Sequence, residues 1–241
     1  MIKKILSTLL VSYALFVFAA TGSFAERPTI AIGASVAYGG FNASGTENEG
    51  NSTKDSVEKH QRDVSGAFGY TSFFLEASFA DRVTLGASWM ADAITTEATS
   101  RTDAIAPGSE SMSGGTADIG TSSVSARLSN LTTGYIEVNI WNGLYAKYGI
   151  MEMDVDTKES LHTDSSYPNA KMDGTTYGLG WKGSFDNGLF IKTETMMQDW
   201  TDLKLNATGL RVTDPVSVIN NNSVELTLKG AVASISIGKA F

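Results

Sequence analysis

Cysteine is absent from this 241-residue chain, and histidine and proline are scarce, with two and four residues respectively. A chain without cysteine has no disulfides and no thiolate chemistry, so its stability must come from burial or from lipid. Two histidines leave few general bases, and both of them, His60 and His162, lie in polar stretches. The composition therefore predicts that the chain is not an enzyme, with no catalytic residue, cofactor or metal site.

A basic stripe and a second long apolar run are also missing. The formal net charge is −8, which argues against nucleic acid as a partner. After the N-terminal segment no stretch approaches eighteen apolar residues, so no transmembrane helix is expected. The first 25 residues combine Lys3 and Lys4 with an apolar run and small residues up to Ala25, and this pattern predicts a cleaved signal peptide.

Period-two alternation of apolar and polar residues dominates the remaining segment, 26–241, and helical periodicity is nearly absent. Val83, Leu85 and Trp89, for example, alternate with small or polar residues. The sequence predicts one domain with eight strands, at 29–42, 64–79, 83–99, 122–140, 144–159, 173–185, 189–207 and 223–241.

The predicted connections alternate in length. Three are tight, at 80–82, 141–143 and 186–188, and four are long and polar, at 43–63, 100–121, 160–172 and 208–222. Short turns at one end and long loops at the other are typical of an antiparallel up-and-down meander. No proline interrupts a predicted strand, as expected from its missing N–H.

The apolar face changes phase within two predicted strands. In the fifth strand, alternate apolar residues from Leu144 to Ile150 give way to Met151, Met153 and Val155. In the eighth strand, Leu226 and Leu228 give way to the opposite parity from Ala231 onward. A β-bulge in each strand would keep all of these residues on one face, and we expect bulges there.

Turn parity places charges opposite one another on the polar face. A three-residue 141–143 turn, of type I with Gly143 left-handed, sets Glu137 opposite Lys147, a favourable cross-strand pair. A three-residue 186–188 turn sets Lys182 opposite Lys192. We expect those two lysines to pair with acids from across an enclosed lumen, with Glu76 and Glu194 as the partners.

Eight charged residues share this polar face by parity. They are Glu76, Asp92, Arg127, Glu137, Lys147, Lys182, Lys192 and Glu194. Four acids and four bases balance to zero in an acidic chain, as expected for an enclosed space where an unpaired charge is costly. The sequence thus predicts an apolar face toward lipid, a polar face toward a lumen, and an aromatic girdle near the short turns.

The C-terminal segment "SISIGKAF" closes an alternating strand with Phe241. This ending resembles the assembly signal of bacterial outer-membrane barrels, although Lys239 replaces the usual upstream aromatic residue. The chain resembles the small eight-stranded outer-membrane proteins of the OmpA-like and opacity types. The resemblance implies an all-β transmembrane barrel in the outer membrane, three periplasmic turns, four extracellular loops and a lumen filled by side chains. It also implies a monomer whose partners are lipid, lipopolysaccharide and the barrel-assembly machinery.

We expect a structural and surface-presenting role, and three alternatives stay open. One is a narrow channel for ions or small solutes. Another is a lipid-modifying enzyme that uses His162 and a neighbouring serine, in a stretch that holds His162, Asp164 and Ser165 close together, although sequence adjacency does not make a triad. The third is a secreted soluble β-sandwich. Glu152, Asp154 and Asp156, on one side of a strand near the outer rim, are interpreted as a solvated rim rather than a cation site.

Overall fold

A computed structural model describes residues 28–51, 56–80, 82–105, 118–160, 166–208, 210–213, 216–219 and 223–241. The predicted signal peptide lies outside these residues and stays a prediction. Within the described ranges, no helix has the length and apolar character needed to cross a membrane.

The described residues form thirteen strands. They are β1 (Thr29–Asn51), β2 (Ser56–Phe79), β3 (Val83–Met90), β4 (Ile94–Thr95), β5 (Thr99–Ile105), β6 (Asp118–Trp141), β7 (Leu144–Ser160), β8 (Ala170–Ser184), β9 (Leu189–Trp200), β10 (Leu203–Asn206), β11 (Leu210–Thr213), β12 (Val216–Ile219) and β13 (Ser223–Ala240).

Eight of these strands close into an antiparallel ring in the order β1-β2-β3-β6-β7-β8-β9-β13, because β13 also pairs with β1. The closing register runs from Ala31↔Ala240 to Asn48↔Ser223. Closure confirms the predicted eight-stranded up-and-down barrel. It also excludes the soluble sandwich, which would leave two separate sheets with free edges.

The strands differ from the predicted ones mainly at the rim with long connections. The predicted 43–63 loop is largely a continuation of β1 and β2, which pair as far as Asn51↔Ser56. The predicted third strand stops at Met90, and the short β4 and β5 then pair only with β6. The predicted seventh strand is split, since β10 leaves β8 and pairs with β13.

The hairpin between β6 and β7 places the predicted residues on each face, but its turn differs from the predicted one. Asn142 and Gly143 both have positive φ, at 46° and 81°, which is the signature of a two-residue type I′ turn. A register shift between Asn139 and Trp141 adds the odd residue. The predicted three-residue type I turn is therefore wrong, but Glu137 still pairs with Lys147, and Lys182 pairs with Lys192 as expected.

Apolar side chains face outward around the ring and form what we call the lipid belt. Its members include Ile32, Val36, Phe73, Leu75, Trp89, Val138, Tyr148, Leu179, Ile191, Ile235 and Ile237, all at least 38% exposed. A continuous exposed surface of this kind is expensive in water and is stabilised by lipid. The predicted outward direction of the apolar face is confirmed.

Above the lipid belt, toward the long connections, the polarity of the wall inverts. On β7, Tyr148 and Ile150 face outward, and further along the same face carries Glu152 and Asp154. The opposite face of this stretch carries Met151, Met153 and Val155, which are 4–5% exposed and face the lumen. This part of the wall meets water outside, so its apolar side chains pack inside, as in a soluble barrel.

The predicted bulges in the fifth and eighth strands are therefore wrong. β7 pairs with β8 without a shift from Leu144 to Val155, and β13 pairs with β1 without a shift from Ser223 to Ala240. Along these strands the medium outside the wall changes from lipid to water, whereas the alternation of inward and outward residues continues unbroken. A bulge lies instead in β6, between Ser129 and Thr132, where Asn130 has a φ of 55°.

Candidate functional site

Five charged side chains from four strands meet in the half of the lumen near the short turns. They are Glu76 of β2, Glu137 of β6, Lys147 of β7, and Lys192 and Glu194 of β9, and we call them the lumen ion cluster. Each follows the period-two rule for the inward face of its strand. Because these strands lie around the ring, the contacts cross the bore.

Lys192 is the centre of the lumen ion cluster. Its side chain is 2% exposed, and its Nζ lies 2.5 Å from one oxygen of Glu76 and 2.5 Å from one oxygen of Glu137. A third carboxylate, that of Glu194, is 3.6 Å away. Short charge-assisted bonds to two carboxylates compensate for much of the cost of placing an ammonium group out of water.

Lys147 and two tyrosines make further contacts with these carboxylates. Lys147 Nζ lies 2.9 Å from Glu194 and 3.4 Å from Glu137, and it sits 3.7 Å from the ring centroid of Tyr135. The Tyr135 hydroxyl donates to Glu76 at 2.8 Å, and the Tyr145 hydroxyl donates to Glu194 at 2.7 Å.

Glycines on neighbouring strands make room for these tyrosines. A Cβ at Gly86 would lie 2.3 Å from the Tyr135 ring, and one at Gly180 would lie 2.3 Å from the Tyr145 ring. Each ring therefore lies flat across the adjacent strand instead of filling the bore. This arrangement leaves the centre of the lumen to the charged side chains.

The lumen ion cluster carries three carboxylates against two ammonium groups, an excess of one negative charge. Both donors to Glu76 use its Oε1. Its Oε2 is buried and has no hydrogen-bond partner among the described residues. The predicted balance of charge therefore does not hold in the cluster itself.

Three of the eight predicted lumen charges lie outside the lumen ion cluster. Lys182 keeps the predicted inward face, opposite Lys192, and its Nζ lies 4.2 Å from the ring centroid of the buried Phe190. Asp92 accepts a hydrogen bond from Thr71 on the outer surface, because β3 ends at Met90 and its alternation stops there. Arg127 is 47% exposed beside Asp156, because the β6 bulge reverses its facing.

Beyond the lumen ion cluster the bore contains a cavity of about 70 Å³. Its wall carries Lys147, Lys192 and Glu194 at one end and methionines at the other. The wall also carries the polar side chains of Ser35, Ser72, Ser88, Thr133, Thr176, Gln198, Ser234 and Ser236. These side chains give the cavity a partly polar lining.

An apolar plug closes the lumen further toward the long connections. It consists of Met90, Leu131, Met151, Met153, Val155, Met172 and Trp200, all at most 9% exposed. Sequence reasoning missed the plug, because it assigned Met151, Met153 and Val155 to the lipid side. The sequence did contain a signal for their true position. These residues follow four alternating outward apolar residues, and that run is already long enough to cross the lipid.

The other sequence candidates do not form a site in the described parts of the chain. His162, Asp164 and Ser165 lie outside the described residues. Glu152 and Asp154 both contact Lys171, at 2.7 and 3.1 Å. Hydrogen bonds from Asn130 and Lys171 hold the pKa of Asp154 below its usual range. Within the described ranges no group of three or more acidic or histidine side chains is arranged to hold a metal ion.

Solved structures that are similar to this chain include bacterial outer-membrane proteins. OprG from Pseudomonas aeruginosa matches 90% of this chain and 97% of its own, with 9% identity and a TM-score of 0.50. The protease OmpT from Escherichia coli matches 92% and 99%, with 11% identity and a TM-score of 0.47. No protein-family model matches the sequence, and no curated protein does.

The likeness to OprG shows the fold, which is that of the small bacterial outer-membrane β-barrel proteins. Together with the lipid belt, this fold places the chain in the outer membrane. In bacterial outer-membrane barrels the short turns generally face the periplasm and the long connections face outward.

Proposed function

We propose that this chain is a closed outer-membrane barrel whose work is to hold an extracellular platform of strands and loops at the cell surface. The observation that carries the proposal is a lumen closed at two levels inside a wall that rises above the lipid belt. A closed bore does not allow bulk transport of solutes. A rigid wall with polar outer faces is suited to presenting loops.

The lower closure is the lumen ion cluster. Lys192 bridges carboxylates from β2 and β6 across the bore, and its side chain is 2% exposed. Solute passage would require separation of these buried pairs, and breaking a buried ion pair typically costs about 3–5 kcal/mol. The apolar plug is the upper closure, and its members are at most 9% exposed.

We call the part of the barrel wall above the lipid belt the raised wall, and its paired strands support the presenting role. β1 and β2 pair up to Asn51↔Ser56, and β6 and β7 pair up to Ser123↔Ser160. Outward charges on this part of the wall form exposed pairs such as Lys204 with Glu225. We propose that the platform contacts lipopolysaccharide, other cells or phage, and that the barrel acts as a monomer.

Phe241 supports a role for the last strand in assembly. Its N–H donates to the Ile30 carbonyl at 2.8 Å, next to the β1–β13 closure, and its side chain is 74% exposed. We propose that the assembly machinery recognises this terminal aromatic residue.

Single-channel recording in planar bilayers tests the closed lumen. We expect the purified parent to give no conductance steps. Steps in the parent that change in size in Lys147→Ala would contradict the proposal and favour a narrow channel. Refolding of each sample is checked by heat-modifiable migration on SDS gels, where a folded barrel runs compact until it is boiled.

Thiol labelling of intact cells tests whether the platform lies outside the cell. Because the chain has no native cysteine, each introduced thiol is unique. Glu225→Cys lies on the raised wall and should react with a membrane-impermeant maleimide. Asn187→Cys lies in a short turn and serves as the matched control, which should react only after the outer membrane is permeabilised. The reverse pattern would refute the orientation.

A further inference from the structure

One side of β2 has no partner strand in the raised wall. On its other side, β2 pairs with β1 along its whole length without a register shift. It pairs with β3 only from Ser72 onward, whereas β4 and β5 pair with β6 instead. Within the described ranges no strand therefore pairs with this side of β2 from Val57 to Gly69, and we call this stretch the β2 edge.

The β2 edge presents backbone groups that can pair with another strand. The Thr71 carbonyl accepts a hydrogen bond from the Ala91 N–H at 2.9 Å across the same side of β2. Because alternate residues of a strand direct their N–H and C=O groups to the same side, the odd-numbered residues from Val57 to Gly69 direct theirs to the β2 edge. Such an edge accepts an added strand, so its occupant is an extended polypeptide.

The β2 edge lacks two common protections against strand addition. It contains no proline, and its pairing with β1 shows no bulge. Its protection is charge, because Lys59, Arg62 and Asp63 are all exposed. Charges on an edge disfavour most strands, so they also select a strand whose charges match.

Lys59 and Asp63 make the β2 edge complementary to itself. Both share the outward parity of Phe73, which is 47% exposed. An antiparallel pair of two β2 edges centred on Gln61 sets Lys59 of each copy opposite Asp63 of the other. Backbone groups match in this register, because Lys59, Gln61 and Asp63 all direct theirs to the edge. The interface is two-fold symmetric and contains two favourable charge pairs.

The direction of β2 decides how two copies can meet. β2 begins at the end with the long connections and ends at the 80–82 turn. Two barrels in one membrane have β2 strands that run in the same direction, so an antiparallel pair requires one barrel to be inverted. Two facing outer membranes supply that inversion.

We propose that the β2 edge pairs with the β2 edge of a second copy on a neighbouring cell. This inference rests on the proposed platform role and names a partner for it, the same chain in a facing outer membrane. The backbone ladder supplies the contact, and Lys59 and Asp63 select the partner. Within one membrane the barrel remains a monomer.

Disulfide cross-linking between separately grown cells tests the pairing. Gln61→Cys places a thiol at the two-fold centre, where hydrogen-bonded cross-strand residues have Cα atoms about 5.5 Å apart, within reach of a disulfide. Ser65→Cys is the matched control on the same edge and face. In this register Ser65 lies opposite Val57 of the other copy, about 26 Å from its own equivalent. Each variant is produced with two different epitope tags in separate cultures of cells that lack O-antigen, which are then mixed and oxidised.

We expect Gln61→Cys to give disulfide-linked dimers that carry both tags, and Ser65→Cys to give none. Dimers that carry only one kind of tag would show pairing within one membrane and would overturn the proposal. Absence of dimers, or a disulfide from Gln61→Cys to a different protein, would overturn it as well.

Exchange of charge tests the register. Lys59→Asp and Asp63→Lys, each added to Gln61→Cys, should lower the yield of two-tag dimers about fivefold or more, because each change creates two like-charge pairs. Cells with Lys59→Asp mixed with cells with Asp63→Lys should recover the yield, because every opposing pair then has opposite charges. Heat-modifiable migration checks that each variant folds. Equal yields from all variants, or no recovery in the mixed cultures, would overturn the proposal.

Labelling of Glu225→Cys separates failure of the pairing from failure of the platform. Glu225 lies on β13, away from the β2 edge. Labelled Glu225→Cys without two-tag dimers of Gln61→Cys would refute the pairing alone. Unlabelled Glu225→Cys on intact cells would refute the platform and the pairing together.

Discussion

Replacing Lys192 with methionine should be among the most damaging single changes in the barrel. The substitution keeps an unbranched side chain of similar length but removes the ammonium group that lies 2.5 Å from both Glu76 and Glu137. Lys147 still contacts Glu137 and Glu194, whereas Glu76 keeps only the Tyr135 hydroxyl. Leaving a buried charge without its partner typically costs about 3–5 kcal/mol.

Lys204→Met is the matched control for this prediction. Lys204 lies 2.6 Å from Glu225, a similar distance, but the two side chains are 57% and 49% exposed. Exposed pairs contribute about 0–1 kcal/mol. The free energy of unfolding of each variant is measured by urea titration of barrels in lipid vesicles, with linear extrapolation to zero urea.

A second change separates charge from packing. Glu76→Gln combined with Lys192→Met restores the parent's excess of one negative charge, so the double variant should be more stable than Lys192→Met alone. Equal losses in Lys192→Met and Lys204→Met would refute the burial argument. A double variant that is less stable than Lys192→Met would refute the charge argument.

Three further changes test the turns, the lipid belt and the revised position of Arg127, each by the same urea titration. Gly143→Ala should cost about 1 kcal/mol or more, because Gly143 has a φ of +81° and its Cβ would lie 2.3 Å from the Lys182 carbonyl oxygen. Gly134→Ala, with no atom nearer than 3.9 Å, should stay within about 0.5 kcal/mol, and equal losses would contradict the turn assignment. Leu179→Lys should cost about 2–4 kcal/mol if the 54% exposed Leu179 faces hydrocarbon; Gln61→Lys on the raised wall is the control, and a neutral Leu179→Lys would argue against lipid contact. Arg127→Gln should lower the free energy of unfolding by less than about 1 kcal/mol, because its pair with Asp156 is exposed. A loss as large as that of Lys192→Met would show that Arg127 faces the lumen after all.

The pairing of charges near the short turns was predictable because turn parity is local information. Asn142-Gly143 strongly favours a tight hairpin, and the three-residue closure that keeps Ile136 and Tyr148 on one face sets Glu137 opposite Lys147. The structure reaches this register with a two-residue turn and a shift in β6. Parity survives because the two-residue turn and the one extra residue of the β6 shift together keep an odd number of residues between the paired strands.

The contacts of Lys192 were predicted only in part. Glu76 and Glu194 were expected as its partners and lie 2.5 and 3.6 Å from its Nζ. The equally close contact with Glu137 of β6 was not expected. Those distances depend on the tilt and stagger of the closed barrel. Alternation along one strand does not contain them.

By itself, the sequence determined the period-two pattern, the number of ring strands, the positions of the short turns and the outward face of the lipid belt, because each is set by neighbouring residues. Only the tertiary structure decided where along each strand lipid gives way to water. At that level the preferred side for apolar residues changes, so Met151 and Leu226 pack inside the barrel without any break in their strands. An alternating pattern predicts which residues share a face. Whether that face meets lipid, water or the lumen depends on the assembled barrel in its membrane.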